Sequence, residues 1–225
     1  MNNKIERIAH ITSSNAWKLF ATPAKVKTYL QELAYEKKLG RGLGTESNAR
    51  PLTWGKWMES RVFELLGLEY SLVSTDTLQH ESITHWSGTP DGTTKTSVID
   101  IKCPYTMKSF CELVDIIESQ DIEYFKKEKP EYYWQLVSNS VLTGKANAEL
   151  IVYCPFQSEL QDIRISCDNY DGADQFKLRF ISESSDDELP YIIDGGNYSN
   201  INILKFEVPA SDIELLTNKI QSITI

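Results

Sequence analysis

Two aspartates and a lysine lie close together in the chain, in a pattern that could hold a metal ion. Asp91 falls in a Pro-Asp-Gly turn, and Asp100 and Lys102 lie two apart on a predicted strand, so their side chains leave the same face. Carboxylates brought together repel each other unless a cation lies between them, and oxygen ligands favour Mg²⁺ or Mn²⁺. The backbone carbonyl of Ile101 could add another oxygen. Lys102 could stabilise an anionic phosphate or lower the pKa of an attacking water. The pattern therefore favours metal-assisted hydrolysis of a phosphodiester.

A purely structural role for these three residues is the alternative. Asp91 could brace its turn, and Asp100 and Lys102 could form an ion pair on one face of the strand. The segment 97–103 is otherwise rich in Val and Ile, which predicts a strand buried on at least one face. Charged groups on such a strand are costly without a purpose, and this favours the functional interpretation.

Two further polar residues lie among apolar neighbours. Glu59 lies beside the apolar stripe of a helix predicted over residues 53–66, where it could be a metal ligand directly or through water. Gln135 lies in a run of large apolar residues, where its amide could orient a water or a phosphate. A solvated helix residue and a core amide are the respective structural alternatives.

The surrounding elements are predicted to be helices that precede and interrupt a central sheet. Apolar spacing predicts a helix starting near residues 12–14, a second starting at Pro23, and later helices over 105–118 and 130–143. Ser211 and Glu214 predict a capping box for a last helix. The predicted strands are 69–75, 82–88, 97–103, 149–153, 161–166, 176–182 and 202–208, with loops at 184–188 and 194–200. This order is typical of an α/β or α+β protein.

The charge is uneven along the chain. Residues 1–61 carry 11 Lys and Arg against 5 Asp and Glu, a net of +6, and the remainder carries 12 against 27, a net of −15. The overall net charge of −9 argues weakly against non-specific DNA binding, although the basic third allows a local basic surface. Two solvated faces of opposite charge are the simpler interpretation of the asymmetry.

Composition excludes several classes of protein. No window approaches eighteen apolar residues, and the N-terminus lacks an apolar signal-peptide region, so we expect neither a membrane span nor secretion. The four cysteines form no CxxC pair, which favours reduced thiols in a cytoplasmic protein and argues against a zinc or iron–sulfur site. The three histidines are scattered, so a histidine metal site or nucleophilic triad has no support.

The order of these residues resembles the PD-(D/E)xK nuclease superfamily and, within it, the phage lambda exonuclease (YqaJ-like viral recombinase) family. The resemblance covers roughly residues 5–155. It rests on Glu59, Asp91, Asp100-x-Lys102 and Gln135, and on the segments Thr53-Trp54-Gly55-Lys56, Ile101-Lys102-Cys103-Pro104 and Arg7-Ile8-Ala9-His10-Ile11-Thr12-Ser13-Ser14. It implies an α/β restriction-endonuclease-like fold, with a central mixed sheet flanked by helices. Residues 1–225 would form a single nuclease domain that includes the acidic part 156–225.

The resemblance also implies an activity and partners. The family degrades linear double-stranded DNA in the 5′→3′ direction with Mg²⁺, leaving 3′ single strands for phage-type recombination. It implies two metal ions, a homotrimeric ring, a single-strand annealing protein as partner, and a phage or prophage protein in the host cytoplasm. A structure- or site-specific DNA endonuclease and a non-catalytic DNA-binding protein of the same fold stay open as alternatives.

Individual roles follow from the same resemblance. Asp91, Asp100, Glu59 and the Ile101 carbonyl would hold the metal, Lys102 would position the attacking water, and Gln135 would help orient it. Arg7, Ser14 and Thr89 would contact the 5′-phosphate. Leu52 would be an apolar wedge between the DNA strands, and Lys25 is a nearby basic residue that would contact DNA. One departure concerns Asp100, which replaces the more usual Glu and shortens the reach by one methylene.

Overall fold

The computed structural model describes residues 7–44, 49–67, 70–72 and 77–224. Eight α-helices are found in these ranges: α1 (Pro23–Leu39), α2 (Arg50–Leu65), α3 (Met107–Ser119), α4 (Ile122–Glu128), α5 (Pro130–Thr143), α6 (Leu160–Asp168), α7 (Gln175–Ser182) and α8 (Ala210–Gln221). The strands in the same ranges are β1 (Ile11–Thr12), β2 (Ser71–Leu72), β3 (Leu78–Gln79), β4 (Trp86–Gly88), β5 (Gly92–Thr93), β6 (Ser97–Lys102), β7 (Asn147–Tyr153) and β8 (Ile201–Glu207). Short 3-10 helices span Ser13–Phe20, Gln157–Glu159 and Asp186–Glu188.

A mixed five-stranded sheet lies at the centre, in the order β2-β5-β6-β7-β8. The strands β6 and β7 are parallel, and the other neighbours in this sheet are antiparallel. The segment α3–α5 forms the crossover that the parallel pair requires. A second sheet, β1-β4-β3, lies beside the 3-10 helix Ser13–Phe20. The predicted class, a central mixed sheet flanked by helices, is confirmed.

Alternation along β6 and β7 divides the core into two clusters. Val98, Leu150 and Val152 pack with the side chains of α3, α5 and α8. Ile99 and Ile151, one residue out of phase, pack with α2, α6 and α7 on the opposite face. Because side chains alternate between faces, Asp100 shares the face of Val98, which is the face that α5 covers.

Three local predictions were wrong. Residues 161–166 and 176–182 belong to helices α6 and α7, because apolar residues spaced three or four apart (Ile163 and Cys167, then Leu178 and Ile181) bury one side of a helix. Ser211 and Glu214 lie inside α8, whose N-cap position is occupied by Pro209. The helix start predicted near residues 12–14 is confirmed, since the 3-10 helix Ser13–Phe20 begins there.

Other boundaries shift modestly. The helix predicted over 53–66 begins earlier, at Arg50, with Pro51 in its first turn, where a missing N–H costs nothing. Of the strand predicted over 69–75, Ser71–Leu72 is seen as β2, and residues 69 and 73–75 lie outside the described ranges. The predicted strand 82–88 shortens to β4, and the predicted loop 184–188 contains the 3-10 helix Asp186–Glu188.

Within the described ranges, every helix is too short or too polar to cross a lipid bilayer. The four cysteines are free thiols.

Candidate active site

The strands β5 and β6 bring Asp91 and Asp100 together. The antiparallel register pairs Gly92 with Ile99, so the next positions outward, Asp91 and Asp100, lie opposite each other. A Cβ on Gly92 would lie 2.5 Å from the Phe63 ring, so a glycine allows this edge of the sheet to approach α2. The register therefore places two carboxylates, nine residues apart in the sequence, in one small volume.

Asp91 is fixed by the backbone of the neighbouring strand. The amide N–H of Ile101 donates a hydrogen bond to Asp91 Oδ2 at 2.7 Å. Burial raises the pKa of Asp91, against the opposing effects of the Lys102 charge and this hydrogen bond. Asp91 also shares a side-chain hydrogen bond with Asp100, so the two carboxyls are in direct contact.

Asp100 is fully buried between Lys102 and α5. Lys102 Nζ lies 2.7 Å from Asp100 Oδ2, and Gln135 Nε2 donates to Asp100 Oδ1 at 2.7 Å. Despite the ion pair, Oδ2 accepts no well-directed hydrogen bond from any described residue. Burial raises the pKa of Asp100 to about 7, and the negative charge of Asp91 adds to this effect, against the Lys102 ammonium.

Lys102 is held in place by both carboxylates and by an aromatic ring. Its ammonium lies 4.9 Å from the centre of the Tyr132 ring, one turn before Gln135 on α5. Its pKa is raised by the charges of Asp100 and Asp91, which outweigh the effect of burial. Lys102 is therefore a permanent cation that α5 and the carboxylates hold beside the site.

Glu59 approaches the same cluster from α2. Met58 and Val62 bury the apolar side of this helix against the sheet, which leaves Glu59 half-buried at its margin. Burial raises the pKa of Glu59 to about 7, with a further contribution from the Asp91 charge. The structure thus brings the predicted site residues Asp91, Asp100, Lys102 and Gln135 into contact. It places Glu59 near enough for its charge to interact with those of Asp91, Asp100 and Lys102.

This donor set fits a small divalent cation. Three carboxyls, those of Glu59, Asp91 and Asp100, lie near the ammonium of Lys102, and burial and mutual repulsion raise the pKa values of Glu59 and Asp100. In the described ranges no three His, Cys, Asp or Glu side chains converge as a complete metal cage. Asp91 and Asp100 would therefore need a backbone carbonyl, such as that of Ile101, or water to complete the coordination of a hard ion.

The raised pKa values predict how the metal-free protein responds to pH. A carboxyl whose pKa is higher in the folded state binds its proton more tightly there, so stability is greatest below the unfolded value. For Glu59 that stability is lost as the pH rises from about 4.5 to about 7. We expect the melting temperature in EDTA to be several degrees higher at pH 5 than at pH 7.5, measured by differential scanning fluorimetry.

Two variants isolate the contribution of Glu59 to this response. Glu59→Gln should flatten the pH dependence, whereas Glu214→Gln, at an exposed position of α8, should leave it as in the native protein. Mg²⁺ should raise the melting temperature most at pH 7.5, where the carboxyls are ionised. An identical pH response in Glu59→Gln and the native protein would contradict the electrostatic description of the site.

Arg7 and Thr89 form a second, cationic cluster next to the first. Arg7 Nε donates to Thr77 Oγ1 at 2.9 Å, and Arg7 Nη2 donates to Thr89 Oγ1. Thr89 lies two residues before Asp91, so this cluster adjoins the carboxylates. A guanidinium among hydroxyl groups is suited to bind a phosphate.

The other predicted DNA contacts are more dispersed. Ser14 Oγ is exposed and lies 3.2 Å from Thr12 Oγ1, on the segment that leads away from Arg7. Leu52 is 46% exposed on the first turn of α2, which is compatible with an apolar wedge. Lys25 is exposed in a shallow cleft on α1 whose lining includes neither Arg7 nor Thr89.

Sequence analysis missed Thr77 and Tyr132 as members of these clusters. Thr77 lies 70 residues from Arg7, next to a stretch outside the described ranges, and nothing in its sequence environment marks it. Tyr132 lies three residues before Gln135, so the spacing i, i+3 on a helix could have identified it as a neighbour.

Comparison with known protein families gives a match over much of the chain. A model of the YqaJ-like viral recombinase domain matches residues 5–146. No curated protein sequence gives a significant match.

Solved structures of exonucleases share the fold. An alkaline exonuclease from Laribacter hongkongensis superposes with a TM-score of 0.63 at 18% identity, covering 96% of this chain and 86% of that one. The same enzyme in complex with dAMP gives 0.62 at 17% identity, with the same coverage. A phage-related exonuclease from Haemophilus somnus gives 0.60 at 16% identity, covering 94% of this chain and 90% of that one.

Because these sequence identities are low, the structural likeness shows only that the chain has a nuclease fold. The match to the family model supports a nuclease that acts on DNA. The matched residues 5–146 contain Glu59, Asp91, Asp100, Lys102 and Gln135, and they make up more than half of the chain. The chain therefore belongs to the YqaJ-like viral recombinase family.

Proposed function

We propose that the protein is a Mg²⁺-dependent exonuclease that degrades linear double-stranded DNA from the 5′ end and leaves 3′ single strands. The observation that carries this proposal is the adjacency of two clusters: Asp91, Asp100 and Lys102 in one, and Arg7 with Thr89 in the other. A phosphate held by Arg7 would lie close to a phosphodiester at the carboxylates. This arrangement favours cleavage near an end that carries a phosphate.

The carboxylates of Asp91 and Asp100 would hold Mg²⁺, or Mn²⁺, with Glu59 and the Ile101 carbonyl as further ligands, and four such donors would serve two ions. The bound metal supplies neutralisation of the phosphate charge and a lower pKa for water. Gln135 holds Asp100 in its rotamer through the 2.7 Å hydrogen bond. Lys102 would orient the water whose oxygen bonds to phosphorus as the bond to the leaving oxygen breaks.

The DNA contacts follow from the surface around the site. Arg7, Thr89 and Ser14 would bind the 5′-phosphate, and Leu52 would separate the last base pair. Lys25 would contact the backbone further along the duplex. These residues belong to the N-terminal 89 residues, and the first 61 carry a net charge of +6, which supports local attraction of DNA by an otherwise acidic protein.

Assembly and cellular context belong to the same proposal. Residues 1–225 would form one nuclease domain, since the C-terminal strand β8 pairs along its whole length with β7. A homotrimeric ring would thread the duplex while its acidic outer surface repels DNA. A single-strand annealing protein would receive the 3′ strand in the host cytoplasm. Light scattering that shows a monomer at working concentration would contradict the ring.

The direct test compares linear duplexes that carry a 5′-phosphate or a 5′-hydroxyl, digested with Mg²⁺ by the native protein and two variants. We expect the native protein to degrade the phosphorylated end at least about tenfold faster, because a charged hydrogen-bonded group is lost from the hydroxyl end. Lys102→Ala should lose about 10²-fold or more in rate. Lys108→Ala, an exposed lysine on α3, should retain full rate.

The same assay separates the alternatives. Cleavage of closed circular DNA would indicate an endonuclease. Binding of duplex DNA without degradation, with Mg²⁺ or Mn²⁺ present, would indicate a non-catalytic DNA-binding protein.

A further inference from the structure

Arg7 enters its cluster from a tight turn that contains an unfavourable backbone conformation. The N–H of His10 donates to the carbonyl of Arg7 at 3.4 Å, which closes the turn. Ala9 within it has a φ of 55°, in the left-handed region that residues with a Cβ seldom adopt. A backbone conformation of this kind is retained only where contacts with the surrounding structure fix it.

A carboxylate from α1 holds this turn. Glu36 Oε2 accepts a hydrogen bond from the N–H of Ala9 at 3.1 Å, across 27 residues of sequence. Glu36 Oε1 accepts from the N–H of Leu43 at 3.3 Å, in the segment that follows α1. One side chain thus ties the Arg7 turn to the end of α1 and to the residues beyond it.

The hydrogen bond from Ala9 to Glu36 lies close to Arg7 in the chain, where it can affect the position of the Arg7 side chain. The Ala9 N–H is two residues from Arg7, and the side chain of Arg7 must span to Thr77 and Thr89, 70 and 82 residues away. On the other side of Ala9, Ile11 is anchored by its N–H to the carbonyl of His85 at 2.8 Å and by pairing in β1. Among the described residues, Glu36 thus gives the turn backbone a contact with α1 in addition to the Arg7–His10 hydrogen bond and the anchoring of Ile11.

We propose that Glu36 is a positioning residue for Arg7, so that α1 sets the selectivity of the site for a terminal phosphate. The inference rests on the proposed function of Arg7 and adds a residue that contacts no substrate. Toward the turn, Glu36 acts as a hydrogen-bond acceptor from the Ala9 N–H, and the single amide oxygen of a glutamine can accept that bond. The bond from the Leu43 N–H to the second carboxylate oxygen is the one that glutamine gives up.

The test measures KM and kcat on duplexes with a 5′-phosphate or a 5′-hydroxyl for five proteins: native, Arg7→Ala, Glu36→Ala, Glu36→Gln and Glu32→Ala. Glu32 lies one turn earlier on α1 and is exposed, which makes it the matched control. We expect Glu36→Ala to raise KM for the phosphorylated end about tenfold, with little change for the hydroxyl end, since the charged hydrogen bond that holds the Arg7 turn is removed. Glu36→Gln and Glu32→Ala should keep the native preference.

The outcomes separate this inference from the proposed function. If the native protein and Arg7→Ala treat the two ends alike, the proposed role of Arg7 fails. If the native protein prefers the phosphate and Arg7→Ala loses that preference, but Glu36→Ala keeps it, the inference about Glu36 is overturned. A lower melting temperature in Glu36→Ala with an unchanged KM ratio overturns it as well, because a purely structural role predicts that result.

Discussion

Replacing Asp91 by asparagine should lower the rate of Mg²⁺-dependent DNA degradation by about 10³-fold, while the melting temperature stays the same or rises. The asparagine oxygen can still accept the Ile101 N–H, so the turn keeps its hydrogen bond. The lost charge is one of the two that would hold the metal. It also opposes ionisation of Asp100 and Glu59, so its removal relieves repulsion among buried carboxyls.

A matched substitution keeps this prediction specific. Asp162→Asn changes an exposed aspartate on α6 and should leave both rate and melting temperature near native values. Rates are measured on linear duplex DNA at saturating Mg²⁺, and melting temperatures in EDTA. Full Mg²⁺-dependent activity in Asp91→Asn would show that the metal site has been placed on the wrong residues.

Replacing Gly88 by alanine should destabilise the fold by at least about 3 kcal/mol, the upper part of the range for overpacked cores. A Cβ at this position would overlap Ser13 Oγ and lie 2.7 Å from Asn139 Oδ1 and 2.8 Å from Leu142 Cδ1. Ser13 cannot move aside freely, since its hydroxyl is buried and hydrogen-bonded to Ser138 at 2.9 Å. The glycine thus allows β4 to pack closely against α5. Thr89 and Asp91 follow directly after β4 in the chain.

Urea denaturation of Gly88→Ala and of Gly55→Ala measures this effect. Gly55 lies within α2, and a Cβ there would meet no described atom within 4 Å, so alanine should stabilise the helix by about 0.5–1 kcal/mol. Equal unfolding free energies for Gly88→Ala and the native protein would mean that β4 does not pack as tightly as described.

The local sequence pattern was sufficient to predict features that lie within a single strand or helix. The two-residue spacing placed Asp100 and Lys102 on one face of a buried strand, and the structure shows them in an ion pair there. Apolar spacing at three and four residues identified α2 and α5, with Glu59 and Gln135 on them. Local pattern was misinterpreted at residues 161–166 and 176–182, which were assigned to strands although their apolar residues bury one side of each of two helices.

Contacts between distant segments could not be predicted in this way. Gln135 was expected to orient a water or a phosphate, and it donates directly to Asp100, 35 residues away. The partners of Arg7 lie 70 and 82 residues from it, and Glu36 reaches Ala9 across 27. The metal-binding and phosphate-binding roles of these residues stay predictions until the experiments above are done.

The amino-acid sequence by itself indicated the family to which the chain belongs and the side chains that we predict to carry the chemistry, because residue type and short spacing are local properties. The tertiary structure alone decided that Asp91 lies opposite Asp100, that α5 supplies both Gln135 and Tyr132 to the site, and that Glu36 holds the Arg7 turn. The physical reason is that strand register and helix packing are set by burial of the whole core, and such burial sums over residues far apart in the chain.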